Sequence, residues 1–245
     1  MRLDQWLVER SSFQSRSRAQ AAIKAGLVRL NGVVAAKPSQ KVAESDAVEV
    51  DAEAHPFVSR GGVKLEAALR AFKIDPAGKT CLDLGASTGG FTDALLHGDA
   101  AKIYAVDVGR DQLHETLRND PRIISLEQTH AKDLSRALIP DAIDVIVCDV
   151  SFISLKKALP PALALAAPGA AMVALVKPQF EVGRARIGKG GIVKETLAEA
   201  AARDLSAWLH GRPGWRSTAL MESPIRGGDG NREFLLGGVR TGPLL

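Results

Sequence analysis

Four ionisable residues, far apart along the chain, stand where bland packing or surface residues would serve. Asp149 ends the apolar run Ile143–Cys148, and Lys177 ends the run Met172–Val176. Lys64 follows Ser59-Arg60-Gly61-Gly62 at the start of a helical pattern, and Glu233 opens a late β-like run in Gly230-Asn231-Arg232-Glu233-Phe234. A charged residue at the end of a parallel strand projects from the sheet edge where open α/β sheets bind ligands. Singly, each reads equally well as a solvated strand or helix end. As a set, two lysines and two carboxylates could orient a weak nucleophile and manage its proton.

A second constellation is shaped to hold a ligand. Cys81-Leu-Asp83-Leu-Gly85-Ala-Ser87-Thr-Gly89-Gly90-Phe91 joins a strand to a helix through a glycine-rich turn. Such a turn lets a ligand approach backbone N–H groups at the helix start. A second strand, Lys102-Ile-Tyr-Ala-Val-Asp107, ends in an acid 22 residues after Gly85. An acid in that place accepts hydrogen bonds from ribose hydroxyls in doubly wound folds.

Three ligands compete for this turn. A dinucleotide favours G-x-G-x-x-G, but Ser87 occupies the second glycine position. Gly85-Ala-Ser87-Thr-Gly89 also reads as G-x-S-x-G, the nucleophile elbow of hydrolases. An elbow usually lies deeper into the sheet and needs a later acid and histidine, for which His210 is the sole late candidate. S-adenosylmethionine, lacking the pyrophosphate, tolerates Ser87 and is the favoured reading. Asp83, Gly85, Ser87 and Gly89 then form the turn, with backbone facing the methionine portion, and Asp107 takes the ribose. Asp133, in His130-Ala-Lys-Asp133, is a candidate for the adenine amino group or, equally, a helix N-cap.

The elements that must position these residues alternate along the chain. Strand-like runs at Thr80–Leu84, Lys102–Val108, Arg122–Leu126, Ile143–Cys148 and Ala171–Val176 are separated by helical stretches, the signature of a parallel sheet covered on both faces. Trp215–Met221 and Arg232–Gly238 have only a Pro/Gly-rich loop between them and could pair antiparallel. Ala158–Val176, broken by Pro160, Pro161, Pro168 and Gly169, reads as helix, turn and strand rather than a membrane span.

Before this region lies a different module. Leu3, Trp6 and Leu7, then Ala19, Ala22 and Ile23, recur at helical spacing. Asn31-Gly32 between short β runs predicts a type I′ hairpin, and Ala47–Asp51 alternates as a further strand. The expected division is 1–54 for a small α+β domain, 55–62 for a linker and 63–245 for the large α/β domain.

Charge is concentrated in the small module. Its first 41 residues hold eight bases against Asp4 and Glu9, a local +6, in a chain whose net charge is only +4. A polyanion is the natural partner, nucleic acid first and anionic lipid a distant second. Arg2, Arg16, Arg18 and Lys24 are expected to meet phosphates, contacts that give affinity without reading bases. Arg184 and Lys189 lie in a second basic stretch, Phe180–Lys194, whose glycines predict mobility. That stretch reads as a substrate-gated loop or as a plain connector. Arg60 and Arg226 flank catalytic segments and are either phosphate clamps or structural ion pairs.

Other classes are disfavoured. Aromatic residues are only 4%, too few for recognition built mainly on stacked platforms. Arg2, Asp4, Glu9 and Arg10 interrupt any apolar core of a leader, and Cys81 and Cys148 lie singly in apolar runs. A reduced, cytoplasmic protein is therefore expected. The five histidines lack metal-ligand spacing, so no metal site is expected.

Several longer motifs resemble one family. Arg2-Leu-Asp-Gln-Trp-Leu7, Ser59-Arg-Gly-Gly-Val-Lys64, Asp83-Leu-Gly-Ala-Ser-Thr-Gly-Gly-Phe91, Asp149-Val-Ser-Phe-Ile-Ser154, Lys177-Pro-Gln-Phe-Glu181 and Ser223-Pro-Ile-Arg-Gly227 look like the TlyA (haemolysin A) family. The ordered set Lys64, Asp149, Lys177, Glu233 resembles the K-D-K-E tetrad of FtsJ-like ribose 2′-O-methyltransferases. The resemblance implies an N-terminal S-four-type RNA-binding domain before a Rossmann-like methyltransferase domain, mostly parallel with an antiparallel last strand. It also implies S-adenosylmethionine as cofactor, ribosomal RNA as partner and cytidine 2′-O-methylation as the activity. Lys177 is then the expected general base or hydroxyl-orienting group. As base it must be neutral, which burial or the Lys64 cation would favour and the two acids oppose. The rivals are a non-enzymatic RNA-binding or ribosome-assembly factor and a membrane-damaging haemolysin.

Overall fold

In the computed structural model the described residues are 1–10, 13, 16–24, 26–50 and 56–242, without the side chains of residues 17, 18, 21 and 24. They form two units, Met1–Pro56 and Phe57–Leu245. The first and last residues of the expected linker thus divide differently: residue 55 lies outside the described part, and Gly61 and Gly62 already belong to a helix.

The first unit packs α1 (Leu3–Glu9) and α2 (Arg16–Lys24) with a three-stranded antiparallel sheet, β1 (Val28–Leu30), β2 (Val33–Val34) and β3 (Val48–Val50), in the order β2-β1-β3. Asn31 and Gly32 both adopt positive φ, 52° and 76°, as a type I′ turn requires. Leu3, Leu7, Ala19, Ile23 and Val28 form its core. Asp51, the end of the expected third strand, is outside the described residues.

The second unit runs α3 (Gly61–Phe72), β4 (Thr80–Leu84), α4 (Gly90–His97), β5 (Lys102–Val106), α5 (Glu115–Arg118), β6 (Ile123–Leu126), β7 (Ile143–Cys148), α6 (Leu155–Ala164), β8 (Ala166–Val176), α7 (Glu195–His210), β9 (Trp215–Glu222) and β10 (Phe234–Arg240). The strands make one seven-stranded sheet in the order β6-β5-β4-β7-β8-β10-β9. Strands β4 to β8 are parallel to their neighbours, while β10 enters antiparallel between β8 and β9. This is a Rossmann-like methyltransferase arrangement with a small antiparallel N-terminal domain.

One expected boundary shifts. The turn placed at Pro168-Gly169 lies within β8, where the pairing with β7 jumps from Ile143↔Ala166 to Val145↔Ala171. A proline without an N–H and a glycine at φ 80° suit a bulge, so the strand bends rather than ends. Pro160 and Pro161 are likewise inside α6.

Period-two alternation divides the sheet between two cores. Leu82, Leu84, Ile146, Cys148, Met172, Ala174, Val176 and Leu236 belong with residues of α6 and α7. Cys81, Val145, Val147, Val173, Leu175 and Leu235 belong with residues of α3 and α4. Asp83, Asp149, Lys177 and Glu233 share the parity of the second set. The apolar pattern therefore places all four on the face covered by α3, the helix that carries Lys64.

Candidate active site

Two ion pairs stand at the carboxyl edge of the parallel strands. Lys177 Nζ lies 2.6 Å from Asp149 Oδ1, and Lys64 Nζ donates to Glu233 Oε2. The topology explains the meeting. Cys148 pairs with Leu84 and Ala174, so β4 and β7 end level and β8 runs two residues further. Because β10 is antiparallel, its first residue Phe234 pairs with Val176, and Glu233 arrives beside the end of β8.

Glycines bring Lys64 to the same place. A Cβ on Gly62 would stand 2.2 Å from the Phe57 ring, and one on Gly90 would stand 2.1 Å from Ser59 Oγ and 3.1 Å from Gly61 Cα. Only residues without side chains let the N-termini of α3 and α4 touch this closely. Each lysine has its own acid. Burial pushes the Glu233 carboxyl above its usual range, an effect Lys64 opposes and Asp149 reinforces. At 3% exposure Glu233 backs Lys64 and does not open to solvent.

Beside the pairs lies a cleft in two lobes. One, of about 360 Å³, is lined by Gly85, Ser87, Asp107, Val108, Gln112 and His130 among others. The other, of about 280 Å³, includes Ser59, Arg60, Lys64 and Lys177. Gly85, Ser87, Asp149 and Ser151 line both. Asp107 fixes the turn: its Oδ2 accepts the Ser87 N–H at 2.8 Å and its Oδ1 the Gly109 N–H at 2.7 Å. The first lobe falls within the roughly 300–1,000 Å³ of small-molecule sites. The Asp107 carboxylate and apolar walls at Val106, Val108 and Ala131 fit an adenosyl group.

Three residues expected at the ligand lie outside the cleft lining. Asp83 is fully buried and outside the cleft lining; its Oδ2 accepts the Thr92 hydroxyl at 2.6 Å, so it ties the turn to α4. Gly89 also lies outside the lining. A Cβ there would stand 2.2 Å from Leu117 Cδ1, and its φ is 98°, so close packing and the helix entry demand glycine. Asp133 is exposed and ends a one-turn 3₁₀ helix, Ala131–Asp133, whose N-cap position is His130; His130 and Ala131 line the cleft instead. The hydrolase reading also fails. His210 ends α7 shortly before Trp215, which pairs with Arg240 at the opposite sheet edge from Ser87.

Two lining residues went unread in the sequence. Ser151 accepts a hydrogen bond from Lys177 Nζ at 2.8 Å. Phe152 is 91% exposed, holds a φ of 66° and lies 5.1 Å from the Phe180 ring, centroid to centroid. A hydroxyl and an aromatic two and three residues after a strand-ending acid were the available signal.

The basic residues divide into several settings. Arg2 donates twice to Asp4, at 3.0 Å each, and Arg16 and Gln20 donate to the same carboxylate at 3.2 and 2.7 Å. Asp4 is fully buried, while the two arginine side chains stay 43% and 51% exposed. The arginine and glutamine bonds hold the Asp4 carboxyl far below the usual range. The side chains of Arg18 and Lys24 lie outside the described residues. Arg60 lines the second lobe and makes no ion pair among the described residues, whereas Arg226 stands 3.7 Å from Glu195. Arg184 and Lys189 are exposed, but their loop is folded. Two 3₁₀ turns, Arg184–Arg186 and Lys189–Gly191, are closed by an Ile187↔Val193 bridge. Buried Asn231 secures them, accepting from Val193 N at 2.8 Å and donating to Gly191 O at 2.9 Å. Gly183, Gly190 and Gly191 there hold positive φ, 79°, 74° and 85°.

Comparison with known proteins agrees with the fold. Residues 57–240 match the FtsJ-like methyltransferase family and residues 1–48 match the S4 domain, which defines the class. The chain is 44% identical over 96% of its length, and 88% of the relative's, to the 16S/23S rRNA (cytidine-2′-O)-methyltransferase TlyA of Mycobacterium tuberculosis. A solved structure described as a putative hemolysin from Streptococcus thermophilus is similar at a TM-score of 0.78 and 39% identity, covering 98% of this chain and 88% of that one. The chain belongs to the TlyA family of FtsJ-like methyltransferases. An O-methyltransferase from Bacillus cereus, solved with SAH, shares the fold at a TM-score of 0.53 and 16% identity over 76% of this chain and 83% of that one.

Proposed function

We propose that the chain transfers the methyl group of S-adenosylmethionine to a ribose 2′-hydroxyl of ribosomal RNA, with cytidine as the acceptor nucleoside. The observation that carries this reading is the convergence of Lys64–Glu233 and Lys177–Asp149 at the edge of an adenosyl-sized cleft. The bound cofactor supplies a methyl group on a cationic sulfur, already a good electrophile. A ribose hydroxyl is a poor nucleophile, so the protein must align it and accept its proton.

Lys177 is the residue for that task. It lines the lobe next to the one that fits the adenosyl group, and as a free amine it can take the proton. Asp149 and Glu233 hold the two lysines in place, and Lys64, which lines the same lobe, orients the ribose. Asp107 receives the ribose hydroxyls of the cofactor, while Gly85 and Ser87 border its methionine portion. Arg2 and Arg16, with Arg18, Lys24, Arg60, Arg184 and Lys189, neutralise RNA phosphates. Among the described residues no helix is long and apolar enough to cross a membrane.

The test is to incubate the protein with labelled S-adenosylmethionine and separated ribosomal subunits, then digest the RNA to nucleosides. Labelled 2′-O-methylcytidine is the expected product. Label on a base, or none on either subunit, would overturn the reading.

A further inference from the structure

Lys177 has two neighbours of different kinds. The Asp149 oxygen at 2.6 Å is an ion-pair contact without hydrogen-bond angles, whereas the 2.8 Å contact to Ser151 Oγ is a true hydrogen bond. Among the described residues Ser151 is the one side chain that hydrogen-bonds this amine. An ion pair is nearly indifferent to rotation about the Cε–Nζ bond, but a hydrogen bond is directional. A free amine carries two N–H bonds and one lone pair in a tetrahedral arrangement. Committing one N–H to Ser151 therefore restricts where the lone pair can face.

The position of Ser151 fits such a task. It lies two residues beyond the strand-ending Asp149 and borders both lobes of the cleft, where donor and acceptor must meet. Its side chain is at the surface of the cleft, not in the core, and is not needed to fill space.

We infer that Ser151 is a positioning residue that aims the Lys177 amine at the acceptor hydroxyl. This rests on the role given to Lys177 above. In the step it serves, the 2′-oxygen gains the methyl group as the sulfur–methyl bond breaks, and its proton passes to Lys177 Nζ. Ser151 keeps its own proton and continues to accept one N–H from the resulting ammonium.

The experiment is single-turnover methyl transfer to ribosomal subunits by Ser151→Ala and Ser151→Thr, with the binding of cofactor and RNA measured separately. For Ser151→Ala the expected result is a rate lowered roughly 10- to 100-fold, the scale of one hydrogen bond to a charged group. Cofactor Kd and RNA affinity should stay within about twofold, and Ser151→Thr, which restores the hydroxyl, should recover most of the rate. An unchanged rate in Ser151→Ala, or a loss that falls on cofactor or RNA binding, would overturn the inference. A parallel Lys177→Ala control separates the two ideas: if it stays active the underlying reading fails, and if it is inactive while Ser151→Ala is normal only the Ser151 role fails.

Discussion

At the scale of single residues, burial decides which acids can act on a ligand. Asp83 and Asp107 both follow the sequence logic of a cofactor turn, yet only Asp107 reaches the cleft. Asp83 sits under the turn, where burial above all raises its pKa to about 7 against the partial relief of the Thr92 hydroxyl. An acid whose pKa is higher when folded holds its proton more tightly in the native state. Its contribution therefore favours folding at low pH and is lost as pH rises from the unfolded value, about 4, towards the native one. Asp83→Asn keeps an oxygen for Thr92 and removes this loss. In chemical denaturation the variant should gain on the order of 3 kcal/mol relative to the parent between pH 4 and pH 8. Identical pH dependence in the two proteins would show that Asp83 stays charged at no cost.

At the scale of elements, a lone acid organises the basic module. Asp4 draws Arg2, from the start of the first helix, and Arg16, from the start of the second, onto one carboxylate. If its task is to display those arginines, Asp4→Asn should weaken binding to ribosomal RNA about three- to tenfold, although it makes the chain more positive. Tighter binding in a filter or mobility-shift assay would mean that net charge alone governs affinity. The arrangement was only half legible. Strand alternation placed Asp149 and Lys177 at a sheet edge, and the position of the Asn-Gly hairpin followed from turn chemistry. An antiparallel last strand was expected, and Glu233 was read as opening it, but the place of β10 between β8 and β9 was not visible, because pairing partners leave no local periodicity. Asp133 was ambiguous because an acid after a third strand suits a ligand, a cap or solvent equally well. Asn231 went unnoticed because a buried amide that ties one loop to another looks, in sequence, like any loop residue.

At the scale of the molecule, charge and chemistry are divided between the two units. The N-terminal stretch carries the local +6, and the large unit carries the cleft and its compensated lysines. The phosphate neutralisation supplied by the N-terminal stretch should therefore be separable from methyl transfer. Replacing Arg2 and Arg16 together by Ala should reduce the slope of log affinity against log salt by about one to two, with cofactor affinity unchanged. A slope equal to that of the parent would place the phosphate contacts elsewhere.

The central claim, that the paired residues at the sheet edge align a ribose hydroxyl and take its proton as the methyl passes from sulfur to oxygen, is tested most directly through Lys177. The measurement is the single-turnover rate of Lys177→Ala on ribosomal subunits at saturating S-adenosylmethionine, beside its cofactor Kd. A fall of about a thousandfold or more, the scale of a lost general base, is expected with cofactor Kd within about threefold of the parent. A rate within tenfold of the parent would contradict it.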